Sequence, residues 1–182
     1  LDKWAINKKI QNPVEGEQYS FVYFHRDIQG NLTNRYKILR LGKHLDPKLK
    51  WRTNVFNNLL WNTYKIPENC ETLWIVKSYK DCLLLQKHFG FNCIATNNES
   101  STILLENNYD FLENISKKKI ICYGVDFQGW HESYLITYLT GWDYWNTPNN
   151  LYDNFELEDP SDVISNFGVN TLRNLLKKKD YL

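Results

Sequence analysis

The sequence predicts an α/β protein in which residues 71–182 form a mostly parallel four-strand sheet with helices on both faces. An N-terminal β-hairpin subdomain in residues 1–70 precedes it. The first observation behind this prediction is a series of short, uninterrupted apolar runs after residue 70, typical of strands buried on both faces. The second is that segments with helical spacing alternate with those runs. The third is composition: 182 residues, 42% apolar and 15% aromatic, are enough for a substantial core.

In residues 1–70 the sequence predicts a β-hairpin, preceded by a polar segment and followed by an irregular one. Residues 1–18 are polar and predict an arm or loop. Residues 19–25 and 34–41 are rich in aromatic and β-branched types, and the sequence from Asp27 to Asn31 between them is a turn signal. Residues 42–70 carry scattered aromatics and predict a short irregular segment.

The second part predicts alternating strands and helices. Two of its strands, 73–76 and 120–123, have the purest apolar runs, so we expect them to be adjacent, central and parallel. Gly90 and Gly141 each follow a helical segment and are natural helix ends. The predicted strands are 73–76, 91–96, 120–123 and 142–145, and the predicted helices are 81–89, one within 100–115, 130–139, 160–166 and 169–179.

Composition excludes several classes of protein. The longest apolar runs have four or five residues, so no membrane span is predicted. A net charge of +1 means that any nucleic-acid binding must come from a local patch. The four cysteines form no C-x-x-C pair, which argues against a zinc site and for buried, reduced thiols. The chain contains no Met, even at position 1, so we expect it to be part of a longer protein.

Candidate functional residues follow the predicted strands, where ligands bind in open α/β sheets. Lys77-Ser78-Tyr79-Lys80-Asp81 comes after the first strand of the second part. Gly124-Val125-Asp126-Phe127-Gln128-Gly129 comes after the third strand, and Glu158-Asp159-Pro160-Ser161-Asp162 precedes a late helix.

The order of these three motifs resembles the Toprim domain of DnaG-type primases, phage helicase–primases and Twinkle-like proteins. The resemblance continues upstream, where that group has a hairpin of the form D-x-x-G-x-x-x-x-x-Y-K-x-x-R. Asp27, Gly30, Tyr36, Lys37 and Arg40 fit this form. The Leu-Leu-Trp-Asn sequence at 59–62 stands where the group has a Leu-Phe-Gly-like segment. The resemblance implies a Toprim-like sheet and a primase core without its zinc module or helicase.

The chain departs from the family at the metal motifs. The family glutamate falls on Lys77, the next glycine on Ser78, and the first aspartate of D-x-D on Gly124. Three acids remain at Toprim-equivalent positions: Asp81, Asp126 and Asp159. In the family these acids hold Mg²⁺ or Mn²⁺, hard cations that require oxygen ligands.

These departures predict a catalytically degenerate module. An ammonium beside a divalent cation is strongly repelled, so we expect no cofactor and no metal; if a metal binds, Asp81, Asp126 and Asp159 would hold it. We expect Lys77 to reach Asp126 or Asp81 instead. The resemblance implies single-stranded DNA or a replication protein as partner, and a cytoplasmic location, in the host if a phage encodes the chain. Lys37, Arg40, Lys77 and Lys80 are the candidate phosphate contacts.

Each acid also has a purely structural interpretation. Ser78 to Asp81 has the form of an S-x-x-D capping box. Asp126 fits a turn before a helix, and Asp159-Pro160 is an ordinary helix start.

Two other functions remain open at this point. One is an active metal-dependent primase or nuclease with a displaced acidic set. The other is a non-enzymatic interaction protein, which predicts an exposed aromatic patch of several hundred Å². The displaced set would be drawn from Asp81, Asp126, Asp159 and Asp162, with Glu71 or Glu132.

Overall fold

The computed structural model of the chain describes residues 14–55 and 58–182. Within these residues there are two compact units, one of residues 14–25 and 32–55 and the other of residues 26–31 and 58–182. Most of the polar arm predicted for residues 1–18 lies outside the described residues. The domain boundary expected at residue 70 stays a prediction.

The smaller unit is built on an antiparallel sheet. Its strands are β1 (Tyr19–Arg26), β2 (Leu32–Leu41) and β3 (Trp51–Thr53), in the order β1-β2-β3. The predicted hairpin is therefore confirmed, but the segment expected to be irregular contributes a third strand, with Ile38 opposite Arg52. Three residues are too few to show an alternating pattern, so β3 depends on its pairing with β2.

The larger unit contains a four-strand parallel sheet in the order β5-β4-β6-β7. The prediction that the two purest apolar runs are adjacent, central and parallel is confirmed, because β4 and β6 pair in parallel with Val76 beside Cys122. The strands are β4 (Cys70–Val76), β5 (Asn92–Ala95), β6 (Ser116–Cys122) and β7 (Asp143–Tyr144).

Helices cover both faces of this sheet. The bounds, in chain order, are α1 (Tyr79–Phe89), α2 (Ser101–Leu105), α3 (Tyr109–Ile115), α4 (Phe127–Thr140), α5 (Asn149–Phe155), α6 (Pro160–Phe167) and α7 (Val169–Lys177). Leu73 and Ile75 point to one face and belong to a core cluster with residues of α2, α3 and α4. Trp74 points to the other face, where its ring stacks on Phe91 at 4.7 Å and meets Tyr181 edge-on.

The helices agree with the predicted segments apart from their ends. Gly90 and Gly141 adopt positive φ, 72° and 74°, at the ends of α1 and α4, as predicted. The one helix expected within 100–115 is two, α2 and α3. The helix α5 was not predicted, because its residues are mostly polar and none of them is buried.

The Leu-Leu-Trp-Asn segment protects an edge of the parallel sheet. Trp61 forms an antiparallel bridge with Ala95 of β5, with N···O distances of 2.8 and 3.2 Å. Asn62 follows in the left-handed region at φ 70° and donates from Nδ2 to the carbonyl of Cys93 at 2.9 Å. The positive φ explains why asparagine is suited to a position where the resembled group has glycine. These bonds occupy backbone groups of Ala95 and Cys93 on the outer edge of β5, where an unpaired strand would expose them.

All four cysteines are free and buried, in agreement with the prediction of buried thiols. In the part of the chain that the structure describes, no helix is long and apolar enough to cross a membrane.

Candidate functional site

The candidate site lies at the carboxyl ends of the parallel strands. Lys77 directly follows β4, and Gly124 comes two residues after β6, its neighbour in the sheet. Asp126 starts α4, Asp81 lies in the first turn of α1, and Asp159 starts α6. The sheet therefore brings the three sequence motifs to one edge, as the Toprim resemblance implies.

Lys77 is paired with a carboxylate that the sequence analysis did not single out. Its Nζ lies 3.0 Å from Oε2 of Glu99, a residue four positions past the end of β5. The Glu99 side chain is only 6% exposed and that of Lys77 is 33% exposed. The expected partners were Asp126 or Asp81, so this expectation is corrected. Since β5 borders β4, its loop delivers Glu99 to the same edge of the sheet.

The environment of Lys77 is strongly anionic. Burial disfavours the charged ammonium, but the hydrogen bond and attraction from Glu99 outweigh it, and Asp126 and Glu158 add to the attraction. The pKa of Lys77 is raised as a result. The Lys77 ammonium therefore supplies the positive charge that balances the carboxylates of Glu99, Asp126 and Glu158.

Glu99 also fills the space beside Gly124. Its Oε1 accepts a hydrogen bond from the backbone N–H of Gly124 at 2.8 Å. A Cβ at position 124 would lie 2.8 Å from the same oxygen. A side chain at 124, including the family aspartate, is therefore incompatible with Glu99 in its present position.

Gly129 is required by a second close approach. A Cβ there would lie 2.2 Å from the carbonyl oxygen of Gly124 and 2.6 Å from Oε1 of Glu99. The first turn of α4 thus packs directly on the backbone at Gly124 and on the Glu99 carboxylate.

Two of the retained acids cap helices: Asp159 starts a helix as its structural interpretation predicts, whereas Asp126, expected in a turn before a helix, is itself the helix cap. Asp126 is the N-cap of α4 and accepts from the Gly129 N–H at 2.7 Å. Asp159 is the N-cap of α6 and accepts from the Asp162 N–H at 3.0 Å and from the Ser161 hydroxyl at 2.5 Å. Each cap satisfies a backbone donor at the positive end of its helix.

Asp81 is the most buried of the retained acids, at 1% exposure. It accepts from the Ser78 hydroxyl at 2.5 Å and from the backbone N–H of Ser161 at 3.0 Å, and so links α1 to α6. Burial and the nearby charge of Asp159 raise the pKa of Asp81 to about 7. Ser78 is the N-cap of α1 and accepts from the Asp81 N–H at 3.2 Å, which is the serine half of the capping box seen in the sequence; the Asp81 carboxylate instead bonds the Ser78 hydroxyl and the Ser161 N–H.

Glu158 is a further acid of the site. Its Cβ lies 3.9 Å from the position that a Cβ on Gly124 would occupy. Burial, followed by the charge of Asp126, raises its pKa. The sequence analysis quoted Glu158 within its motif without assigning it a role. The same rule that found Lys77, position after a parallel strand, would also have found Glu99.

The residues at this edge do not fit a divalent cation as they are arranged. Glu99 is satisfied by Lys77 and Gly124, and Asp81, Asp126 and Asp159 each accept hydrogen bonds from serines or helix N–H groups. Within residues 14–55 and 58–182, no group of three or more His, Cys, Asp or Glu side chains is placed to hold a metal ion. The ammonium of Lys77 stands among the acids that would have to provide ligands.

Of the displaced acidic set considered from the sequence, Glu71 is not brought to this edge. Glu71 lies at the opposite end of β4, about 20 Å from Lys77 at about 3.3 Å per strand residue, and its Oε1 is paired with Lys117 at 2.6 Å. Glu132 accepts from the backbone N–H of Ser101 at 2.7 Å and so supports the start of α2.

The four candidate phosphate contacts fall in the two units, two in each. In the smaller unit, Arg40 is 4% exposed and its Nε lies 3.3 Å from Glu17, whereas Lys37 lies over the Trp51 ring at 4.3 Å. In the larger unit, Lys80 is 42% exposed, with its Nζ 3.9 Å from Asp159. Arg40 is buried and therefore little accessible to a phosphate, and the assignment of the four residues as phosphate contacts stays a prediction.

The folded chain is similar to several solved primase structures. It matches a DnaG catalytic core with a TM-score of 0.65 at 17% identity over 87% of this chain and 52% of that one. It matches the primase fragment of the bacteriophage T7 primase-helicase with a TM-score of 0.65 at 13% identity, over 88% of this chain and 63% of that one. It also matches the Aquifex aeolicus primase zinc-binding and RNA polymerase domains, with a TM-score of 0.60 at 20% identity over 92% and 43% of the two chains.

In comparisons by sequence, no family model and no curated protein matches the chain. The chain spans about half to two thirds of the length of the DnaG core and the T7 fragment. Similarity at this level of identity concerns the fold, an α/β architecture with a parallel sheet. The chain therefore has the DnaG-type primase fold with its Toprim sheet.

Proposed function

We propose that this chain is a primase-like Toprim module of a phage or mobile-element DNA replication protein that has lost metal catalysis. It acts by binding DNA or a partner protein. The observation that carries the proposal is the ion pair between Lys77 and Glu99, which occupies the strand-end position where the Toprim resemblance implies a metal. An internal cation neutralises the acids without a bound metal.

A Mn²⁺ titration followed by electron paramagnetic resonance tests the loss of the metal site directly. We expect the unmodified chain to leave Mn²⁺ free at concentrations that saturate a functional site. Primer synthesis on a single-stranded template should be absent with Mg²⁺ or Mn²⁺. Tight Mn²⁺ binding that is lost in Asp126→Ala would overturn this part of the proposal.

Binding of single-stranded DNA would use a cation of either unit taken by itself. Lys80 in the larger unit is the best candidate, because it is 42% exposed whereas Lys77 is 33% exposed and lies 3.0 Å from Glu99; Lys37 is the candidate in the smaller unit. We expect the affinity to fall steeply with salt, and Lys80→Gln to reduce the slope of log K against log salt by about 0.7 for the one phosphate that Lys80 neutralises. Lys117→Gln is a matched control, because Lys117 is exposed and lies at the amino end of the sheet.

A second candidate function, a protein-binding module, is supported by the outer face of α4. Phe127, Trp130, Tyr134 and Tyr138 are between 51% and 82% exposed, and neighbouring rings stack at 5.9 and 6.4 Å. With about 150–250 Å² per aromatic side chain, these four expose on the order of 500 Å². Failure of single-stranded DNA to bind at low salt would favour this candidate over DNA binding.

A further inference from the structure

A stripe of exposed rings runs along the outer side of α4. It consists of Phe127, Trp130, His131, Tyr134 and Tyr138, which share one side of the helix and are each more than half exposed. Successive rings lie nearly parallel: the pairs 127–131, 130–134 and 134–138 have centroid distances of 6.1, 5.9 and 6.4 Å and interplanar angles of 22°, 14° and 16°. The α4 stripe is therefore one ordered surface, not a scatter of single exposed side chains.

The opposite side of α4 holds this stripe in place. Ser133 and Ile136 have no exposed surface, and Gly129 packs on the backbone at Gly124. The helix is therefore fixed to the sheet, and the rings are presented on a rigid element. Little conformational freedom remains to be lost when a partner binds, which lowers the cost of association.

The stripe carries no formal charge. The helix α4 contains no Lys or Arg, and its one acid, Glu132, is 18% exposed and accepts from the backbone N–H of Ser101 at 2.7 Å. Nucleic-acid binding depends largely on cations that contact phosphates, so the chemistry of the stripe favours a protein surface over a strand of DNA. Lys178 and Lys179 line a depression together with Trp130, at one margin of the stripe, where a protein interface has its polar rim.

The exposed area of this face matches a small protein–protein interface. Its Phe, Trp and two Tyr side chains expose on the order of 500 Å². Tyr144 of β7, which is 45% exposed and lines the same depression as Trp130, adds about 100 Å². Two such faces would together bury about 1,200 Å², the lower limit for a standard-size interface. A contact of this size gives a reversible complex that depends on concentration.

We propose that two copies of this chain associate through the α4 stripe about a twofold axis. The stripe has no charge that would repel an identical stripe, and none that would select a partner of opposite charge. In a twofold contact the same patch lies on both sides, so aromatic rings meet aromatic rings, which is favourable beyond the area that is buried.

The twofold contact makes a specific geometric statement. With the two helices antiparallel, the start of each stripe meets the end of the other, and Tyr134, near the middle of the stripe, lies close to the axis. The inference rests on the second candidate function, protein binding through α4, and names the partner as a second copy.

Analytical ultracentrifugation of the full chain, from micromolar to near-millimolar concentration, tests the proposal. We expect a monomer at the low end, a growing fraction of dimer towards the high end, and no larger species. Tyr134→Glu should weaken the association at least about tenfold, because two carboxylates would meet near the axis. Tyr19→Glu is the matched control and should leave the association unchanged, since Tyr19 is 70% exposed but lies in β1 of the smaller unit.

Complementary variants test the twofold contact itself. Tyr134→Glu and Tyr134→Lys should each be monomeric where the native chain is dimeric, whereas an equimolar mixture of the two should form a heterodimer because opposite charges then meet. Recovery in the mixture also shows that both variants are folded. Loss of the dimer in each variant without recovery in the mixture would overturn the twofold contact.

Two further outcomes would overturn the proposal: a native chain that stays monomeric at every concentration, and a dimer that Tyr134→Glu leaves intact. A monomeric chain whose binding of single-stranded DNA is lost in Tyr134→Ala would show that the stripe stacks bases instead. Failure to dimerise does not affect the salt titration with Lys80→Gln, and failure to bind DNA does not affect the dimer, so the inference and the proposed function can fail separately.

Discussion

Lys77 changes the chemistry of the site because it brings a positive charge to a position where the Toprim resemblance implies a carboxylate. Its partner Glu99 is nearly inaccessible to solvent and holds both the ammonium and the Gly124 N–H. A buried carboxylate without its cation is strongly destabilising, whereas the intact pair is close to neutral for stability. The pair is therefore best tested by removing one partner.

Lys77→Ala should lower the free energy of unfolding by about 1–3 kcal/mol, because Glu99 would be left buried and charged. Urea denaturation at neutral pH measures the effect. Lys80→Ala is the matched control, since Lys80 is more exposed and lies 3.9 Å from its acid; its effect should stay below about 1 kcal/mol. Equal effects of the two substitutions would contradict the assigned role of the ion pair.

Asp81 should make stability depend on pH with an unusual sign. An unfolded aspartate titrates near 3.9, whereas burial beside Asp159 raises the pKa of Asp81 to about 7 in the folded chain. Between these values the folded state keeps a proton that the unfolded state has lost. The contribution of Asp81 to stability is therefore greatest at low pH and falls as pH rises from about 4 to about 7.

Asp81→Asn should remove this dependence, because the amide keeps the acceptor for the Ser161 N–H and carries no charge. Urea denaturation of the two proteins across that range of pH should show that the free energy of unfolding of the variant rises relative to that of the native chain as pH rises. Asp110→Asn, an exposed acid in the first turn of α3, controls for the substitution itself. A difference between native chain and Asp81→Asn that does not change with pH would contradict the prediction.

At the scale of elements, the start of α4 shows how backbone contact and charge are combined. Gly129 has no side chain because the Gly124 carbonyl and the Glu99 carboxylate occupy that space. The Asp126 cap then fixes where the helix begins. The glycine is retained at this helical position because of packing, since alanine is favoured in helices by about 1 kcal/mol.

Gly129→Ala should lower the free energy of unfolding by about 1–3 kcal/mol, although the same change stabilises an isolated helix. Chemical denaturation measures it. Ser133→Ala, one turn further along the buried face of α4, is the matched control: its hydroxyl has no partner among the described residues, so little change is expected. A stabilised Gly129→Ala variant would contradict the close approach at Gly124.

At the scale of the whole molecule, the parallel sheet collects residues that are distant in sequence. Lys77, Glu99, Gly124 and Glu158 come from four connections and meet at one edge. Reconstruction of a Toprim-type metal site therefore requires changes in more than one motif. Restoring the family acids at 77 and 124 alone would force an aspartate against Glu99.

The triple variant Lys77→Glu, Glu99→Ala and Gly124→Asp should bind Mn²⁺ weakly together with Asp126, because it restores oxygen ligands and removes both the ammonium and the obstruction. Electron paramagnetic resonance detects the bound ion, and a thermal melt confirms folding. The double variant that keeps Glu99 is the control and should melt at a lower temperature than the triple variant. A folded triple variant that leaves Mn²⁺ free would contradict this account.

Much of the fold was predictable from the sequence, and the failures have physical causes. The strands at 73–76 and 120–123 were found because burial on both faces requires uninterrupted apolar residues. The helix ends at Gly90 and Gly141 were found because positive φ favours glycine. β3 and α5 were missed because one has three residues and the other lacks a buried face.

The sequence by itself determined the parallel Toprim-like sheet, the helix starts at Ser78 and Asp159, and the presence of a cation at position 77. Each of these depends on residues that are neighbours in the chain. Only the tertiary structure decided which acid pairs with Lys77, because Glu99 is carried there by the neighbouring strand β5. Local sequence holds no information on such an encounter, which is decided by strand order and by the absence of a side chain at Gly124.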